Sequence, residues 1–445
     1  MIGKNRLSML AVVLLLVFML WYGLDSSITE QSQNIANGIQ NAEITVWYCD
    51  ESLKDYVESA AKSYSQAYHA KVTVEQISEV SYIEKINEQS VGDEFTGPDV
   101  YLVSNDELEM MELAGLTKKV KDKKKHYTTE HYCDTALHAV RYNGAQIAYP
   151  VSFETSFLIY NKDYAVLNEL DENGNEVKKE VIPTDFEQIK DFSENCELQE
   201  GVENIFRFDV SDIFYTYFVV GNYLQLGGMD GDNAGVVDIA NPQVKSCLEA
   251  FQEMAQFFAM DVKTINYETV MTEFAQGKTV YTIVKTDAVR RIQELAKENE
   301  KEIPIGVAPL PNISEELKTK ALSITTAAVV NGYTRQEEAA SDFADYLAYG
   351  YVGKLYETTG KYCAKRGESQ IEEAFHDEIY SQYENSVSLP KLINASNFWV
   401  NLEIAFFNIW SGEDVSTQIE RVSEQLTKQL SNLRTLYIML FYYKK

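Results

Sequence analysis

Glu154 is the ionisable residue whose surroundings in the sequence are most informative. It lies between two short apolar runs, Ile147–Pro150 and Ser156–Tyr160, and each run predicts a β-strand. The Asn143–Gly144 pair before them predicts a turn, and Pro150 is predicted to end the first strand. We therefore expect Glu154 at a point where the chain changes direction. An ionised carboxylate in that position offers binding chemistry, because it accepts hydrogen bonds from hydroxyl groups.

The usual signatures of catalytic and metal sites are missing from the sequence. It contains neither H-E-x-x-H nor G-x-S-x-G, and Gly277–Thr279 resembles the end of a P-loop but Thr272 replaces its leading glycine. His131 and His138 are seven residues apart, which without a carboxylate pattern indicates an incidental pair. Two of the 68 acidic residues could still form a glycosidase pair, which spacing in one sequence does not test. The sequence thus predicts no metal and no cofactor, and it leaves a catalytic carboxylate pair open.

Length and composition suit a globular protein with two lobes. The chain has 445 residues, which is too long for one compact core, so two lobes of roughly 150–200 residues each are expected. A net charge of -29 predicts no nucleic-acid binding, because phosphate contacts dominate that affinity. The five cysteines are scattered and include no C-x-x-C, which argues against a disulfide framework and a zinc ribbon.

Both ends of the chain have segments of special composition. Lys4 and Arg6 precede an apolar run, so residues 1–24 are predicted to be an uncleaved signal anchor or a cleaved signal peptide. The positive residues are expected in the cytoplasm, which places the remaining chain at the outer face of the membrane. Residues 25–41 are predicted to be a linker. Residues 433–445 are a hydrophobic tail whose role the sequence leaves open.

Strands and helices alternate along the first part of the chain, which indicates an α/β lobe. The third strand is a nearly continuous apolar run, as is typical of a buried parallel sheet. Further on, Thr184 and Glu187 are predicted to form a capping box, and Phe206–Gln225 is predicted to be mostly helical. The three predicted strands are Ile44–Tyr48, Lys71–Glu75 and Pro98–Val103.

The segment around Glu154 resembles the interlobe crossover of bacterial extracellular solute-binding proteins of the maltose/maltodextrin-binding type. Further points of resemblance are Gly277–Ile283 after a helix, Pro98–Asp99 opening a strand, and Ser396–Trp399 on a late helix. The resemblance covers residues 44–432. It implies an α/β, two-lobe fold of the periplasmic-binding-protein type II with three interlobe crossovers, preceded by an N-terminal hydrophobic helix.

The same resemblance implies how the chain is divided and how it works. Lobe 1 is expected to comprise residues 42–153 and 308–358, and lobe 2 residues 154–307 and 359–432. The three crossovers are expected to form a hinge that closes on a ligand. The closed state would then be recognised by the permease subunits of an ABC transporter.

By this resemblance, acidic and aromatic side chains of both lobes are expected to bind the ligand, since carboxylates accept hydroxyl hydrogen bonds and rings cover sugar faces. Val103 and Asp287 stand where the family has tryptophans, and Glu107 and Glu403 replace arginines. The cleft therefore has fewer stacking platforms and more acid, which permits another sugar, an amino sugar or a polyamine. The expected ligand-binding residues are Asp50, Glu51, Ser52, Asp106, Glu154, Asp212, Phe214, Asp287, Trp399 and Glu403.

The resemblance implies an extracellular protein that captures a small solute, with a carbohydrate as the first expectation, and delivers it to an ABC transporter. Two alternatives stay open: a membrane-tethered ligand sensor and an extracellular carbohydrate-active enzyme. Neighbouring genes would separate the transporter from the sensor. Turnover that a carboxylate substitution abolishes would identify an enzyme.

Overall fold

The computed structural model describes residues 39–92, 94–170, 173–258, 260–367, 373–392 and 395–443. The predicted signal segment, residues 1–24, lies outside them, as does most of the predicted linker, residues 25–41. The helices are Lys54–Tyr68 (α1), Tyr82–Val91 (α2), Leu108–Leu113 (α3), Asp134–Ala139 (α4), Phe186–Asn195 (α5), Ile213–Thr216 (α6), Phe218–Gly221 (α7), Pro242–Phe257 (α8), Tyr267–Ala275 (α9), Ala288–Glu298 (α10), Glu337–Asp345 (α11), Leu355–Thr359 (α12), Glu373–Glu384 (α13), Ala395–Trp410 (α14) and Val415–Tyr443 (α15). The strands are Glu43–Tyr48 (β1), Lys71–Gln76 (β2), Val100–Ser104 (β3), Arg141–Tyr142 (β4), Ala145–Gln146 (β5), Tyr149–Asn161 (β6), Val166–Leu170 (β7), Glu176–Glu180 (β8), Asn204–Phe206 (β9), Gln225–Gly227 (β10), Asn233–Asp238 (β11), Thr279–Lys285 (β12), Ile305–Ala308 (β13), Leu322–Val330 (β14), Tyr362–Cys363 (β15) and Val387–Ser388 (β16).

The main sheet has the strand order β2-β1-β3-β14-β6-β12-β9, and β13, β15 and β16 pair beside this path. β1 is parallel to β2 and β3, whereas β14 is antiparallel to β3 and β6. Both faces of the first half are buried, since Val46 and Leu102 contribute to one core and Trp47 and Val103 to another. Burial on both faces explains why these strands have nearly continuous apolar sequences.

A further core lies on the other side of β6. It joins β12 to helices α8, α14 and α15, with Ile283, Phe251, Phe406 and Ile419 all buried in it. The Phe251 and Phe406 rings are 5.3 Å apart between centroids. The core that contains Val46 also includes Val284 and Ile292, so it continues past β6 into the second half of the sheet.

Strand β6 belongs to both halves of the sheet. Residues 149–155 pair with β14, whereas residues 156–160 pair with β12 and residues 158–161 with β13 on the opposite side. One continuous strand therefore connects the two halves.

The prediction of two strands separated by a change of direction is wrong. Pro150 does not end a strand, and Glu154 lies inside β6. Consecutive residues of β14 pair with Ser152 and Pro150, which leaves Val151 without an opposite residue and forms a β-bulge. A bulge tolerates proline, because the missing N–H is not needed for the regular ladder.

Several local predictions are confirmed. Asn143 (φ 48°) and Gly144 (φ 72°) form the tip between β4 and β5, where positive φ suits both residue types. Asn241 caps α8 by accepting a hydrogen bond from the Val244 amide, and Pro242 occupies the first helical position.

The predicted capping box is displaced by one residue. Asp185, rather than Thr184, caps α5 by accepting from the Gln188 amide at 3.0 Å. The Gln188 side chain in turn accepts from the Thr184 amide at 3.0 Å, in place of the predicted Glu187. The reciprocal bonding of a capping box is therefore present, with a different pair of residues.

The Phe206–Gln225 segment is less helical than predicted. It contains only the short helices α6 and α7, between β9 and β10. The Asp209 and Asp212 side chains accept hydrogen bonds from backbone amides two residues further on. Such local bonds compete with a continuous helix, so the segment bends around these two carboxylates.

The last helix, α15, reaches Tyr443 and includes most of the predicted tail, residues 433–445. Within the described part of the chain, no helix has both the length and the apolar character needed to cross a membrane.

Candidate ligand-binding site

The loop between β1 and α1 holds Asp50 at the carboxyl end of a parallel strand. Asp50 caps the 3₁₀ turn Glu51–Leu53, and its Oδ1 accepts from the Ser52 amide at 2.9 Å and the Ser52 hydroxyl at 2.6 Å. Its other oxygen, Oδ2, lies 3.1 Å from the Lys361 ammonium. Asp50, Glu51 and Ser52 are all exposed, and because the Ser52 hydroxyl donates to Asp50, it can offer a ligand only its acceptor lone pairs.

Glu154 is the centre of a row of alternating charges. Its Oε1 lies 2.6 Å from Lys361 Nζ, and its Oε2 lies 3.8 Å from Lys285 Nζ. Lys285, the last residue of β12, is also 3.5 Å from the Asp287 carboxylate. We call this row the β6 ion chain; its members are Asp50, Lys361, Glu154, Lys285 and Asp287. It runs from the loop after β1, across β6, to the end of β12.

Lysines keep two acids of the β6 ion chain, Glu154 and Asp50, ionised. Burial raises the pKa of Glu154, but the Lys361 and Lys285 ammonium groups outweigh burial and hold that pKa below its usual value. Burial acts on Asp50 in the same way, and Lys361 together with hydrogen bonds from Ser52 lowers its pKa. Burial lowers the pKa of Lys361, but Glu154 and Asp50 raise it above the ordinary value. At neutral pH the carboxylates are therefore hydrogen-bond acceptors only.

Three members of the β6 ion chain, Asp50, Glu154 and Lys361, line a cleft of about 720 Å³, whereas Lys285 and Asp287 are not part of the lining formed by the described residues. The carboxyl ends of β1, β2 and β3 contribute Asp50, Ser78 and Ser104, and Glu51 and Glu79 add two further carboxylates. Ligand sites of α/β proteins form at such strand ends, and this volume suits one small molecule.

Asp212, Phe214 and Glu403 lie together at the start of α6. Asp212 caps α6 by accepting from the Phe214 amide at 2.8 Å, and Glu403 of α14 accepts from the preceding amide at 3.4 Å. Burial raises the pKa of both carboxyl groups, and the negative charge of Asp209 adds to the effect. The Lys285 ammonium lowers the pKa of Asp212 and so partly offsets this increase. The group of acids at the start of α6 is therefore electrostatically coupled to the β6 ion chain.

Trp399 lies one turn before Glu403 on α14 and is half-buried. Its ring packs edge-on against Tyr217, with centroids 5.8 Å apart, and against Phe398 at 5.0 Å. The indole N–H is buried, and among the described residues it has no hydrogen-bond partner. A buried donor of this kind normally has a partner, and a ligand oxygen can supply one.

Lys285 and Lys361 are functional candidates that the sequence did not reveal. Tyr267 accepts a hydrogen bond from the Lys285 amide at 3.2 Å and stacks on Tyr215 at 4.6 Å, which fixes the end of β12. The position of Lys285 at a strand end was one available signal. Lys361, after α12, has no local signal, because its partners lie far away in the sequence.

Asp106 is separated from the other predicted residues. It follows β3, accepts a hydrogen bond from the Ser104 hydroxyl, and is not part of the cleft lining formed by the described residues. Burial raises the pKa of Asp106, partly offset by Ser104 and by Lys391. Burial and the charge of Asp106 raise the pKa of Glu107 to about 7. These two acids therefore form a separate, half-buried acidic pair.

Lys391 is a buried cation whose charge lowers the pKa of Asp106. Its ammonium donates to the backbone carbonyls of His138 at 3.0 Å and Asp230 at 2.5 Å. Burial lowers the pKa of Lys391 to about 8, although surrounding carboxylates oppose that change. Lys391 thus ties the end of α4 to the turn between β10 and β11.

The two histidines considered as a pair have separate partners. His138 Nδ1 lies 2.5 Å from Asp230, whereas the His131 ring packs edge-on against Tyr349. In the ranges that the structure describes, no three His, Cys, Asp or Glu side chains are grouped so as to hold a metal ion.

Proteins whose sequences are similar to this chain have names that describe oligosaccharide binding. A maltooligosaccharide ABC transporter solute-binding lipoprotein of Streptococcus pneumoniae is 24% identical over 390 residues, which are 83% of this chain and 84% of the relative. The maltodextrin-binding protein of Bacillus subtilis is 21% identical over 403 residues, or 87% and 89% of the two chains. A galactooligosaccharide-binding protein of Bacillus subtilis is 20% identical over 431 residues, or 93% and 96%.

Solved structures share the fold. An extracellular solute-binding protein of Staphylococcus aureus in complex with maltose gives a TM-score of 0.73 at 16% identity, covering 88% of this chain and 98% of the other. The maltose-binding periplasmic protein of Listeria monocytogenes gives 0.71 at 18% identity, with the same coverage. The predicted two-lobe type II fold is therefore confirmed. Residues 59–350 match the bacterial extracellular solute-binding protein family, and the chain belongs to that family.

Proposed function

We propose that this protein captures a small saccharide between two lobes and delivers it to the permease subunits of an ABC transporter. The observation that carries the proposal is the β6 ion chain, because it places ionised carboxylates across the connection between the two halves of the sheet. The names of the relatives, which refer to maltooligosaccharides, maltodextrin and galactooligosaccharides, support a saccharide as the ligand class.

The proposed lobes follow the expected division, with residues 42–153 and 308–358 in lobe 1 and residues 154–307 and 359–432 in lobe 2. Asp50 then belongs to lobe 1 and Asp287 to lobe 2, and both lie in the β6 ion chain. A ligand that bonds to both ends of this row gains more contacts when the lobes are closed, and so favours closure.

The chemistry of the cleft fits a polyhydroxylated ligand. Asp50 and Glu154 accept hydrogen bonds, and sugar hydroxyls donate them. Trp399 would cover the apolar face of one ring and would use its unpaired N–H on a ring or hydroxyl oxygen. Because Val103 lines the cleft where the related proteins have a tryptophan, we expect fewer stacked rings than in a maltodextrin site.

The protein would act at the outer face of the bacterial cytoplasmic membrane, held there by its N-terminal segment. That segment, residues 1–24, lies outside the described residues, so the tether rests on the sequence alone. We assign no catalytic role to the cleft, since the family consists of binding proteins.

The test is thermal unfolding of the full-length chain with maltotriose, a galactooligosaccharide, a glucosamine trimer and spermidine. A ligand that binds the folded state at about 100 times its Kd stabilises it by about 2.7 kcal/mol, so a saccharide should raise the Tm clearly. Glu154→Gln should reduce the shift strongly, whereas Glu88→Gln, an exposed glutamate on α2, should not. A shift with spermidine alone would refute the saccharide assignment, as would no shift with any saccharide.

A further inference from the structure

Lys361 has an unusual position for a lysine. It follows Gly360, whose φ of 74° ends α12 in the left-handed conformation, and its side chain is only 11% exposed. Its ammonium contacts two acids that are far apart in the sequence, Glu154 at 2.6 Å and Asp50 at 3.1 Å. A buried ammonium with two carboxylate partners is fixed in place by both of them.

The contacts of Lys361 leave acceptor capacity on both carboxylates. Glu154 directs one oxygen to Lys361, and its other oxygen lies at the longer distance of 3.8 Å from Lys285. Asp50 directs one oxygen to Lys361 and one to Ser52, and each carboxylate oxygen has two lone pairs. The acids therefore have their charge compensated while they can still accept hydrogen bonds from hydroxyl groups.

The charge balance of the cleft depends on Lys361. Its lining contains the carboxylates of Asp50, Glu51, Glu79 and Glu154 and one ammonium group, that of Lys361, so it is net negative. Without the Lys361 charge, no ammonium group of the described lining would offset these acids, and the surplus would be largest near Glu154 and Asp50, which Lys361 contacts. Such a surplus of negative charge beside a cleft favours cations.

We propose that Lys361 is a specificity-determining residue that makes the cleft select uncharged, hydroxyl-donating saccharides over amino saccharides. This inference rests on the proposed function. A cationic ligand group that reaches Glu154 and Asp50 loses its hydration and finds both acids already paired with Lys361, so it gains little free energy from them in return. An uncharged hydroxyl needs only the acceptors that Lys361 leaves open, and an anionic saccharide is repelled by the net negative charge.

The experiment measures the Kd of maltotriose and of the glucosamine trimer at neutral pH by titration calorimetry, using the full-length chain. The decisive variant is Lys361→Gln, which keeps a hydrogen-bond donor and removes the charge. We expect the preference for maltotriose over the glucosamine trimer to fall by about tenfold or more, since one pKa unit of charge interaction corresponds to a factor of ten. Lys361→Arg, which keeps the charge, should retain most of the preference.

Lys354→Met is the matched control, because it removes a lysine of the same segment whose ion pair with Glu357 is exposed. It should leave the preference unchanged. Lys361→Met serves as a second uncharged variant if Lys361→Gln does not melt cooperatively, and it should give the same change in preference.

Two results would overturn the inference in distinguishable ways. Weaker binding of both trimers by the same factor in Lys361→Gln would show a purely structural role, and would leave the proposed function intact. Failure of the unsubstituted protein to bind the two trimers and the galactooligosaccharide would refute the proposed function, and the inference with it.

Discussion

Replacing Glu107 with glutamine should stabilise the protein at alkaline pH. The pKa of Glu107 is raised to about 7 by burial and by the charge of Asp106. A carboxyl group whose pKa is higher in the folded than in the unfolded state binds more protons when folded. Its contribution to stability is fully present below the unfolded pKa and is lost as the pH rises through the folded pKa. Glu107→Gln abolishes this loss because glutamine does not ionise.

The size of the effect follows from the two pKa values. The folded value of about 7 exceeds the ordinary 4.5 by about 2.5, and each pKa unit corresponds to about 1.4 kcal/mol, so the full effect would be about 3 kcal/mol. Two features reduce it. Glu107 is partly exposed, and it stands at the start of α3, where the helix dipole favours a negative charge. We therefore expect a gain of about 1–2 kcal/mol at pH 8.

The assay is urea unfolding of both proteins at pH 5 and pH 8. The two free energies of unfolding should nearly agree at pH 5 and should differ at pH 8, with the variant more stable. Glu88→Gln, which removes an exposed charge from α2, should show the same small difference at both pH values. A Glu107→Gln protein that is no more stable than its parent at pH 8 would refute the burial of this carboxylate.

Three further substitutions test other parts of the structure. Trp399→Ala should weaken maltotriose binding about tenfold, as measured by calorimetry. Trp399→Phe should weaken it less, because an aromatic ring face remains. Undiminished affinity in the alanine variant would rule out stacking. Lys391→Met should lower the free energy of unfolding in urea by about 2–4 kcal/mol, since two buried carbonyls lose their donor; an unchanged value would contradict its role as a tie. Gly306→Ala should destabilise the protein by about 1–3 kcal/mol in thermal unfolding, because the added Cβ would lie 2.1 Å from the Tyr160 ring. A Tm equal to that of the unsubstituted protein would mean that this ring can move aside.

The sequence predicted best those features that depend on neighbouring residues. Strands β1 and β3 follow from apolar runs, the start of α8 from Asn241 and Pro242, and one hairpin from Asn143–Gly144. Each signal is local, because it reflects burial of one segment or the backbone preference of one or two residues.

The errors arose where distant parts of the chain decide the outcome. Pro150 was expected to end a strand, but pairing with β14 holds it inside β6 at a bulge. The aromatic Phe206–Gln225 segment was expected to be helical, but Asp209 and Asp212 form local hydrogen bonds that divide it. Neither the bulge nor these turns has a periodic pattern, so hydrophobic spacing alone does not reveal them.

The candidate site likewise contains residues that the sequence located and residues that it missed. Resemblance located Asp50 and Glu154, which the structure brings to one cleft through a shared lysine. Lys361 and Lys285 were missed, because a single lysine has no recognisable spacing and its partners lie elsewhere in the chain. Asp106 follows the expected strand, but its side chain is buried beside Glu107 and outside that cleft.

The pairing of β14 has a consequence for how the chain acquires its structure during synthesis. β3 and the first half of β6 both pair with β14, which is made only when residues 322–330 leave the ribosome. Until then, neither earlier strand has its principal partner in the sheet. Pairing between such distant segments is slow, because the entropy of closing a long loop is lost before the contact forms. The growing polypeptide therefore cannot complete its central sheet until β14 has been made, although β1, β2 and β3 can pair with one another earlier.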